Sequence, residues 1–182
     1  ANLVGISVSY APNIAYYIPL DHKEVKGIKK EIVLKKLKFI LEDPSIKKVG
    51  QNIKYDFIIF KNNGIQLNPV DDTMLLSYTL DAGNNRHNMD TLSELHLGHK
   101  TISYKDLVGT GKKQLNFSEV DIKAATEYAA EDADVTLRLY DILSNRVSDE
   151  KLEKIYDVFE KPMITILSKL ETNGIKVDES YL

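Results

Sequence analysis

The 182-residue sequence contains no cysteine, only five prolines, and no long apolar run. The lack of cysteine excludes disulfides and thiolate metal sites and favours a reducing compartment. No segment approaches the roughly 20 apolar residues of a membrane-spanning helix, and the start shows no basic-then-apolar signal pattern. We therefore expect a cytoplasmic protein without a membrane partner.

The sequence also lacks the basic excess of a general nucleic-acid-binding protein. Its 27 acidic and 24 basic residues give a net charge of −3, which argues weakly against DNA as a partner. A nuclease site, however, gathers carboxylates around metal ions and contacts only a few nucleotides. The charge is therefore compatible with both classes of protein.

Strand-like and helix-like segments are mixed along the chain, which indicates an α/β domain. The runs 3–10 and 14–19 are rich in β-branched residues and predict a hairpin. Short strands are predicted at 46–49 and near Val70, a loop at 99–116, and helices at 31–42, from 51 to Asn63-Gly64, at 72–80, 90–97, 118–143 and 148–173. Asp72 and Asp90 are expected to cap their helices. We place a domain boundary at 147–150, which separates residues 1–147 from residues 148–182.

A carboxylate interrupts the apolar face of the longest predicted helix. Tyr128 and Asp132 lie one turn apart on the stripe that Val135 continues. A lone carboxylate on such a face costs several kcal/mol unless it is paired or bound to metal. A helix cap or a buried salt bridge is the structural alternative. Glu131 and Asp134 fall off this stripe, and we expect them to be solvated.

The same anomaly recurs at Asp56, which shares a predicted helix face with Ile53 and Phe60. Two such carboxylates on separate helices suggest that they converge on one divalent cation. Carboxylates with few histidines suit Mg²⁺ or Mn²⁺.

Two segments, 49–56 and 128–136, resemble the second and third motifs of the 3′–5′ proofreading exonuclease domains of bacterial DNA polymerase I. The resemblance covers essentially the whole chain in order, with further matches at 72–75, 86–92, 99–104, 160–163 and 170–178. It implies a ribonuclease-H-like α/β fold, a mixed sheet with flanking helices, for residues 1–147. By the same resemblance, residues 148–182 would be the first helix and start of a polymerase domain.

The resemblance also implies a function in DNA replication and repair. The chain would hydrolyse the terminal phosphodiester of mispaired or single-stranded DNA 3′ ends, with two Mg²⁺ or Mn²⁺ ions clamping the attacking and leaving oxygens. Asp56 and Asp132 would be metal ligands, and Tyr128 would orient the attacking water. The residues expected to hold the frayed 3′ end are Gln51, Asn52, Tyr55, Arg86, Met89 and Tyr104.

One departure from the family concerns its first motif, Asp-x-Glu, which supplies two of the four metal carboxylates from the central strand. No Asp-x-Glu lies near the start of this sequence. We therefore expect a truncated fold without its central first strand, and a chain that is inactive alone. Two rival hypotheses are a non-catalytic DNA-binding or scaffold domain that positions the polymerase, and a stand-alone RNA-processing nuclease of the same superfamily.

The missing strand leaves three possible arrangements of the sheet. The hairpin pairs with the strand at 46–49, a neighbouring chain supplies a strand, or the sheet stays split, because unpaired inner edges are costly. We expect the helices that carry Asp56 and Asp132 to be least disturbed, since they should contact mainly each other and the C-terminal part.

Overall fold

The structure is a computed structural model that describes residues 3–24, 28–178 and 180–181. Its strands are β1 (Gly5–Ala11), β2 (Ile14–Pro19), β3 (Lys48–Gly50) and β4 (Val70–Asp72). Its helices are α1 (Lys30–Glu42), α2 (Lys54–Asn62), α3 (Thr73–Asp81), α4 (Met89–Leu97), α5 (Tyr104–Val108), α6 (Ile122–Asp149), α7 (Glu153–Ile155) and α8 (Lys161–Asn173). A π-helical turn, Tyr156–Glu160, joins α7 to α8.

The described strands form two separate pairs. β1 and β2 make the predicted antiparallel hairpin, and β3 and β4 pair in parallel. Within the described residues no ladder of hydrogen bonds joins the two pairs, so the arrangement is the split one. The long helix α6 packs against β1, β2 and β3 and thereby holds both pairs together.

The hairpin is tied to α6 at its turn. Asn13 adopts a left-handed conformation with φ of 63°, which asparagine tolerates better than most residues. Its backbone N–H donates a hydrogen bond to the Asp134 carboxylate. Asp134 is therefore engaged with the hairpin, and the expectation that it is solvated is wrong.

Several predicted element bounds differ from the structure. The predicted loop at 99–116 contains α5, and α6 continues past residue 143 to Asp149. Residues 148–149 therefore end one helix instead of starting the last one. The start of α4 also differs: Asn88 precedes its first residue, and Asp90 lies within its first turn. Asp90 is therefore inside the helix and not its cap, and its carboxylate accepts a hydrogen bond from Thr101.

Two apolar clusters form the main core. One gathers residues of the hairpin, α1 and α2, and the other gathers residues of α3, α4 and α6. The C-terminal segment contributes to both, since Tyr156 is 4% exposed in the second and Ile164 is 2% exposed in the first. Burying a side chain of this size contributes about 1.5–3 kcal/mol. Residues 153–173 thus pack on the same core as the preceding residues, and a domain boundary at 147–150 stays a prediction.

The helices that carry the two predicted ligands have different neighbours. Helix α2 packs chiefly on α8, which agrees with the expected contact to the C-terminal part. Helix α6 packs chiefly on the hairpin, α3 and α4, so the expectation that it packs mainly on α2 is wrong.

Candidate active site

Asp132 lies in the middle of α6 on the face that turns towards the core, one turn before the buried Val135. Its Oδ1 atom is buried, and no described residue gives that atom a hydrogen bond. Burial raises the pKa of Asp132 to about 7; the Tyr128 hydroxyl opposes this shift, while the charges of Glu131 and Asp90 add to it. A buried carboxylate oxygen without a partner is rare in folded proteins. Asp132 is therefore a candidate for binding a ligand through this oxygen.

Tyr128 lies one turn before Asp132 in an aromatic cluster. Its ring centroid is 5.9 Å from that of Tyr104 and 6.0 Å from that of Phe117. Burial and the nearby Asp132 carboxylate raise the pKa of Tyr128. The phenol therefore stays protonated at neutral pH and keeps its O–H donor beside Asp132. Phe117 is not predictable from the sequence because it begins a 3₁₀ helix of only three residues, Phe117–Glu119, which is too short to show periodic spacing.

Asp56 occupies the first turn of α2 and is exposed to solvent. Protein atoms nevertheless crowd its carboxylate and raise the pKa of Asp56 to about 6, and the charge of Asp72 adds to the shift. The turn before α2 is tight, because a Cβ on Gly50 would lie 2.8 Å from the Cβ of Ile53. The close packing of β3 against the start of α2 thus fixes the position of the helical turn that carries Asp56.

Asp72 is a site neighbour that sequence reasoning identifies only as a helix cap. Its Oδ1 accepts hydrogen bonds from Met74 N at 2.8 Å and Asn52 N at 3.0 Å, and its Oδ2 accepts one from Ile53 N at 2.9 Å. Burial raises the pKa of Asp72, while these N–H groups oppose the shift. The cap of α3 therefore also holds the turn that leads into α2.

The residues predicted to hold the 3′ end lie in two linked groups. Gln51 and Asn52 lie in the turn before α2, and Tyr55 lies in the first turn of α2, where it is 58% exposed. Gln51 Nε2 donates to the carbonyl of His87 at 2.7 Å, which joins this group to the segment that carries the exposed Arg86.

Met89 and Tyr104 continue this surface towards Asp132. Met89 packs against the core of α6, where its sulfur lies 3.6 Å from the Thr136 hydroxyl. Tyr104 is 45% exposed and stacks on Phe117 with an interplanar angle of 17°. One face of Tyr104 thus meets the aromatic cluster, and the residue remains open to solvent.

The segment before α5 is held by carboxylates on either side of the site. Glu131 pairs with His99 Nε2 at 2.8 Å and accepts a hydrogen bond from Ile102 N at 2.6 Å. Thr101 donates to Asp90 at 2.7 Å. Glu131 is thus engaged with this loop, and the expectation that it is solvated is wrong. Its partners lie about 30 residues away in sequence, so helical spacing cannot reveal them.

Tyr104 packs on Tyr128, and Tyr128 lies beside Asp132. Asp56 lies close enough to Asp72 for the Asp72 charge to raise the pKa of Asp56. No direct contact is described between Asp56 and Asp132. Within the ranges that the structure describes, no group of three or more aspartate, glutamate or histidine side chains is arranged as a metal site. A metal site shared by Asp56 and Asp132 therefore stays a prediction.

A divalent cation fits the residues around Asp132. The unpartnered Oδ1 is a hard oxygen ligand of the kind that Mg²⁺ and Mn²⁺ prefer. The further carboxylates of Asp90 and Glu131 increase the negative charge at this place. The donors present thus match the cation class inferred from the sequence.

Comparison with known proteins identifies the family. The model of a family described as 3′–5′ exonuclease matches residues 1–148. The chain belongs to the 3′–5′ exonuclease family. Proteins named DNA polymerase I are 45% identical in Rhizobium leguminosarum, 41% in Pseudomonas aeruginosa and 38% in Borreliella burgdorferi, each aligned over 100% of this chain. The chain spans about a fifth of their length, and the resemblance inferred from the motifs is confirmed.

Solved structures of another protein show the same fold. Brucella melitensis NrnC matches with a TM-score of 0.71 at 20% identity, over 98% of this chain and 80% of NrnC. NrnC with bound Mg²⁺ and NrnC bound to pGG each match with a TM-score of 0.64, over 91% and 96% of this chain and 74% and 86% of theirs. This likeness bears out the expected ribonuclease-H-like α/β fold. No helix among the described residues is long and apolar enough to cross a membrane.

Proposed function

We propose that this chain is the 3′–5′ exonuclease part of a DNA polymerase I and removes nucleotides from single-stranded or frayed DNA 3′ ends. The observation that carries the proposal is the buried, unpartnered Oδ1 of Asp132 beside the Tyr128 phenol. Membership of the 3′–5′ exonuclease family supports the reaction class, and the DNA polymerase I relatives support DNA as the substrate. The partner in the same longer protein would be a polymerase domain C-terminal to this chain.

Asp132 and Asp56 are the residues that would hold the divalent cations, Mg²⁺ or Mn²⁺, and the Mg²⁺ in an NrnC structure supports this cofactor class. When bound, two such cations would stabilise the negative charge on the attacking and leaving oxygens during phosphodiester hydrolysis. The two aspartates are only part of a four-carboxylate set, because the sequence has no Asp-x-Glu near its start. We therefore propose that this chain has little nuclease activity alone.

Tyr128 orients the attacking water. Its phenol is held protonated by burial and by the charge of Asp132, so it can donate a hydrogen bond or accept one from a water molecule. Packing against Tyr104 and Phe117 restricts its ring. The hydroxyl is thereby fixed in position before substrate arrives, which is the condition for efficient orientation.

The 3′ end is held by aromatic and polar groups that do not depend on base sequence. Tyr104 and Tyr55 expose ring surface on which bases can stack. Gln51 uses one amide N–H for the His87 carbonyl and its oxygen for Thr73, which leaves one N–H for a nucleotide. Arg86 is exposed on the linked segment and is suited to a phosphate.

A second candidate is a domain that binds single-stranded DNA without cleaving it. The observation that favours it is the lack of a group of three or more metal-binding side chains among the described residues. The two candidates differ in whether the DNA is shortened after binding. They share the same contacts to the 3′ end, so binding alone does not separate them.

The test uses single-stranded DNA labelled at its 5′ end, the complete polymerase, Mg²⁺, and the variants Asp132→Asn and Asp141→Asn. Asp141 is an exposed carboxylate on the same helix and serves as the matched control. We expect stepwise shortening from the 3′ end in the unmodified protein and in Asp141→Asn, and loss of shortening in Asp132→Asn. DNA binding without shortening in all three proteins would establish the non-catalytic candidate instead.

A further inference from the structure

The buried phenol of Tyr156 links the C-terminal segment to the end of β4. Its side chain is almost fully buried, at 4% exposure. The backbone N–H of Asp72 donates to the Tyr156 oxygen at 3.0 Å, and the Tyr156 hydroxyl donates to Asp71 Oδ1 at 3.3 Å. One side chain from the π-helical turn thus bonds two consecutive residues of the nuclease domain.

Asp72, which Tyr156 holds, also binds the backbone at the start of α2. Its carboxylate accepts the N–H groups of Asn52 and Ile53, while no side chain within α2's own N-terminal turn caps that helix. Asn52 is held in the left-handed region at φ of 56°, a conformation that needs support from its surroundings. Asp72 therefore caps α2 from a distant part of the chain, at residues that lie about one turn before Asp56.

The Asp71 carboxylate fixes Tyr156 from the other side. Asp71 is 3% exposed and pairs with Lys47 and Lys161, each at 2.7 Å. The Tyr140 hydroxyl donates to its Oδ2 at 2.9 Å. These cations lower the pKa of Asp71 against the effect of burial. The carboxylate thus stays ionised and holds α6, the residue before β3 and the C-terminal segment around one buried charge.

We propose that Tyr156 and Asp72 are positioning residues for the nuclease site. Tyr156 holds the backbone of Asp72, the Asp72 carboxylate holds the turn before α2, and that turn sets the direction of Asp56. The proposal rests on the proposed function for the role of Asp56 as a metal ligand. It also places the support of a nuclease residue in residues 148–182, the segment that resembles the start of a polymerase domain.

The decisive variant is Tyr156→Phe, which keeps the buried ring and removes the oxygen that accepts the Asp72 N–H. Tyr140→Phe is the matched control, because it also removes a phenol from Asp71 but makes no contact with Asp72. Hydrogen–deuterium exchange of peptides covering residues 48–58 is measured in the 182-residue chain and in the complete polymerase. The Mn²⁺ concentration that gives half-maximal 3′ excision is measured in the complete polymerase.

We expect Tyr156→Phe to accelerate exchange at Asn52 and Ile53 and to raise the half-maximal Mn²⁺ concentration about tenfold, as loss of an outer support of a metal ligand does. Tyr140→Phe should leave both quantities unchanged while lowering the melting temperature to a similar extent. Equal exchange in the two variants would overturn the proposal. If Tyr156→Phe does not fold, Asp72→Asn provides the same two readouts, since it removes an acceptor of the Asn52 and Ile53 N–H groups.

The exchange measurement separates this proposal from the proposed function. If the unmodified polymerase shows no 3′ excision, the proposed function fails. Faster exchange at residues 52–53 in Tyr156→Phe alone would still establish the support of α2 by Tyr156. Normal excision with unchanged exchange would leave the proposed function intact and reject the positioning role.

Discussion

At the scale of residues, Asp132 and Asp56 are held where their charged forms are disfavoured in the absence of metal. Burial raises the pKa of Asp132 to about 7 and the pKa of Asp56 to about 6, from the ordinary aspartate value of 3.8. As pH rises from about 4 towards 7, the unfolded chain has released these protons while the folded chain retains them. The free energy of unfolding of the metal-free chain therefore falls across this window.

The first prediction concerns this charge. Asp132→Asn should raise the free energy of unfolding of the metal-free chain at pH 8 by roughly 2 kcal/mol, which is less than the full shift implies because the residue is partly open to water. The gain should be smaller at pH 5, where the folded carboxyl is mostly protonated. Urea unfolding with a chelator at both pH values measures this. An equal gain in the control Asp141→Asn would contradict the assignment.

The second prediction concerns the Tyr128 hydroxyl. Tyr128→Phe keeps the ring that packs on Tyr104 and Phe117, so binding of single-stranded DNA should stay within about twofold. The single-turnover excision rate of the complete polymerase should fall roughly 10- to 100-fold, because the water loses its orienting group. An unchanged rate with normal binding would remove Tyr128 from the reaction.

The apolar helix face predicts Asp132 and Asp56 as candidate ligands from the sequence. The structure buries the Asp132 Oδ1 but leaves Asp56 exposed, and the role of both residues as ligands stays a prediction. The same reasoning fails for Glu131 and Asp134. Helical spacing places both outside the stripe, yet loops far away in sequence bring His99 and the Asn13 N–H to them. Long-range contacts of this kind follow from the fold and are invisible to local periodicity.

At the scale of elements, the loop before α5 is positioned by α6. Glu131 holds His99 and the Ile102 N–H, and this places Tyr104 against Tyr128 at 5.9 Å. The position of an exposed aromatic ring thus depends on a carboxylate adjacent to a predicted metal ligand.

The third prediction follows from that arrangement. Glu131→Ala should loosen the 99–104 segment and raise the KM for single-stranded DNA roughly tenfold, about the contribution of one stacked base, with kcat changed little. Glu127→Ala, one turn earlier on α6 with a side chain 61% exposed, is the control and should change neither constant. Steady-state excision by the complete polymerase measures both. A fall in kcat with constant KM would show that Glu131 acts on the chemistry instead.

Most elements are predictable because their signals are local. The hairpin at β1 and β2 and the end of α8 before Gly174 follow from β-branched runs and a glycine after the helix. Helix α5 is too short for a periodic pattern, and it forms where Val108 is buried against the segment that precedes α6. The bounds of α6 and α7 depend on packing of the C-terminal segment, which the local sequence does not specify.

At the scale of the whole molecule, the chain joins two separate strand pairs through one helix. Helix α6 packs on the hairpin and on β3, and its apolar face forms the second core cluster. The resemblance to the family leaves three arrangements of the sheet open, and the described residues adopt the split one. The resemblance therefore predicts the fold class, whereas the pairing of the strands is known only from the structure.

The fourth prediction concerns the activity of the 182-residue chain alone. The chain has only part of the carboxylate set. It should therefore shorten single-stranded DNA at least about 100-fold more slowly than the complete polymerase, because both cations must be held by their carboxylate ligands before they can stabilise the attacking and leaving oxygens. Digestion of 5′-labelled DNA at equal protein concentration measures this. Robust shortening by the chain that Asp132→Ala abolishes would show that other carboxylates complete the site.

Excision of a mispaired 3′-terminal nucleotide by the complete polymerase tests the proposed nuclease most directly. The unmodified protein and Asp141→Asn should release the terminal nucleotide in Mg²⁺. Asp132→Ala should reduce the single-turnover rate by roughly 1,000-fold or more, because removing a group that stabilises charge in the transition state has an effect of this size. Nucleotide incorporation should be retained in all three proteins. Excision at the same rate in Asp132→Ala would contradict the assignment of Asp132 and the nuclease site built around it.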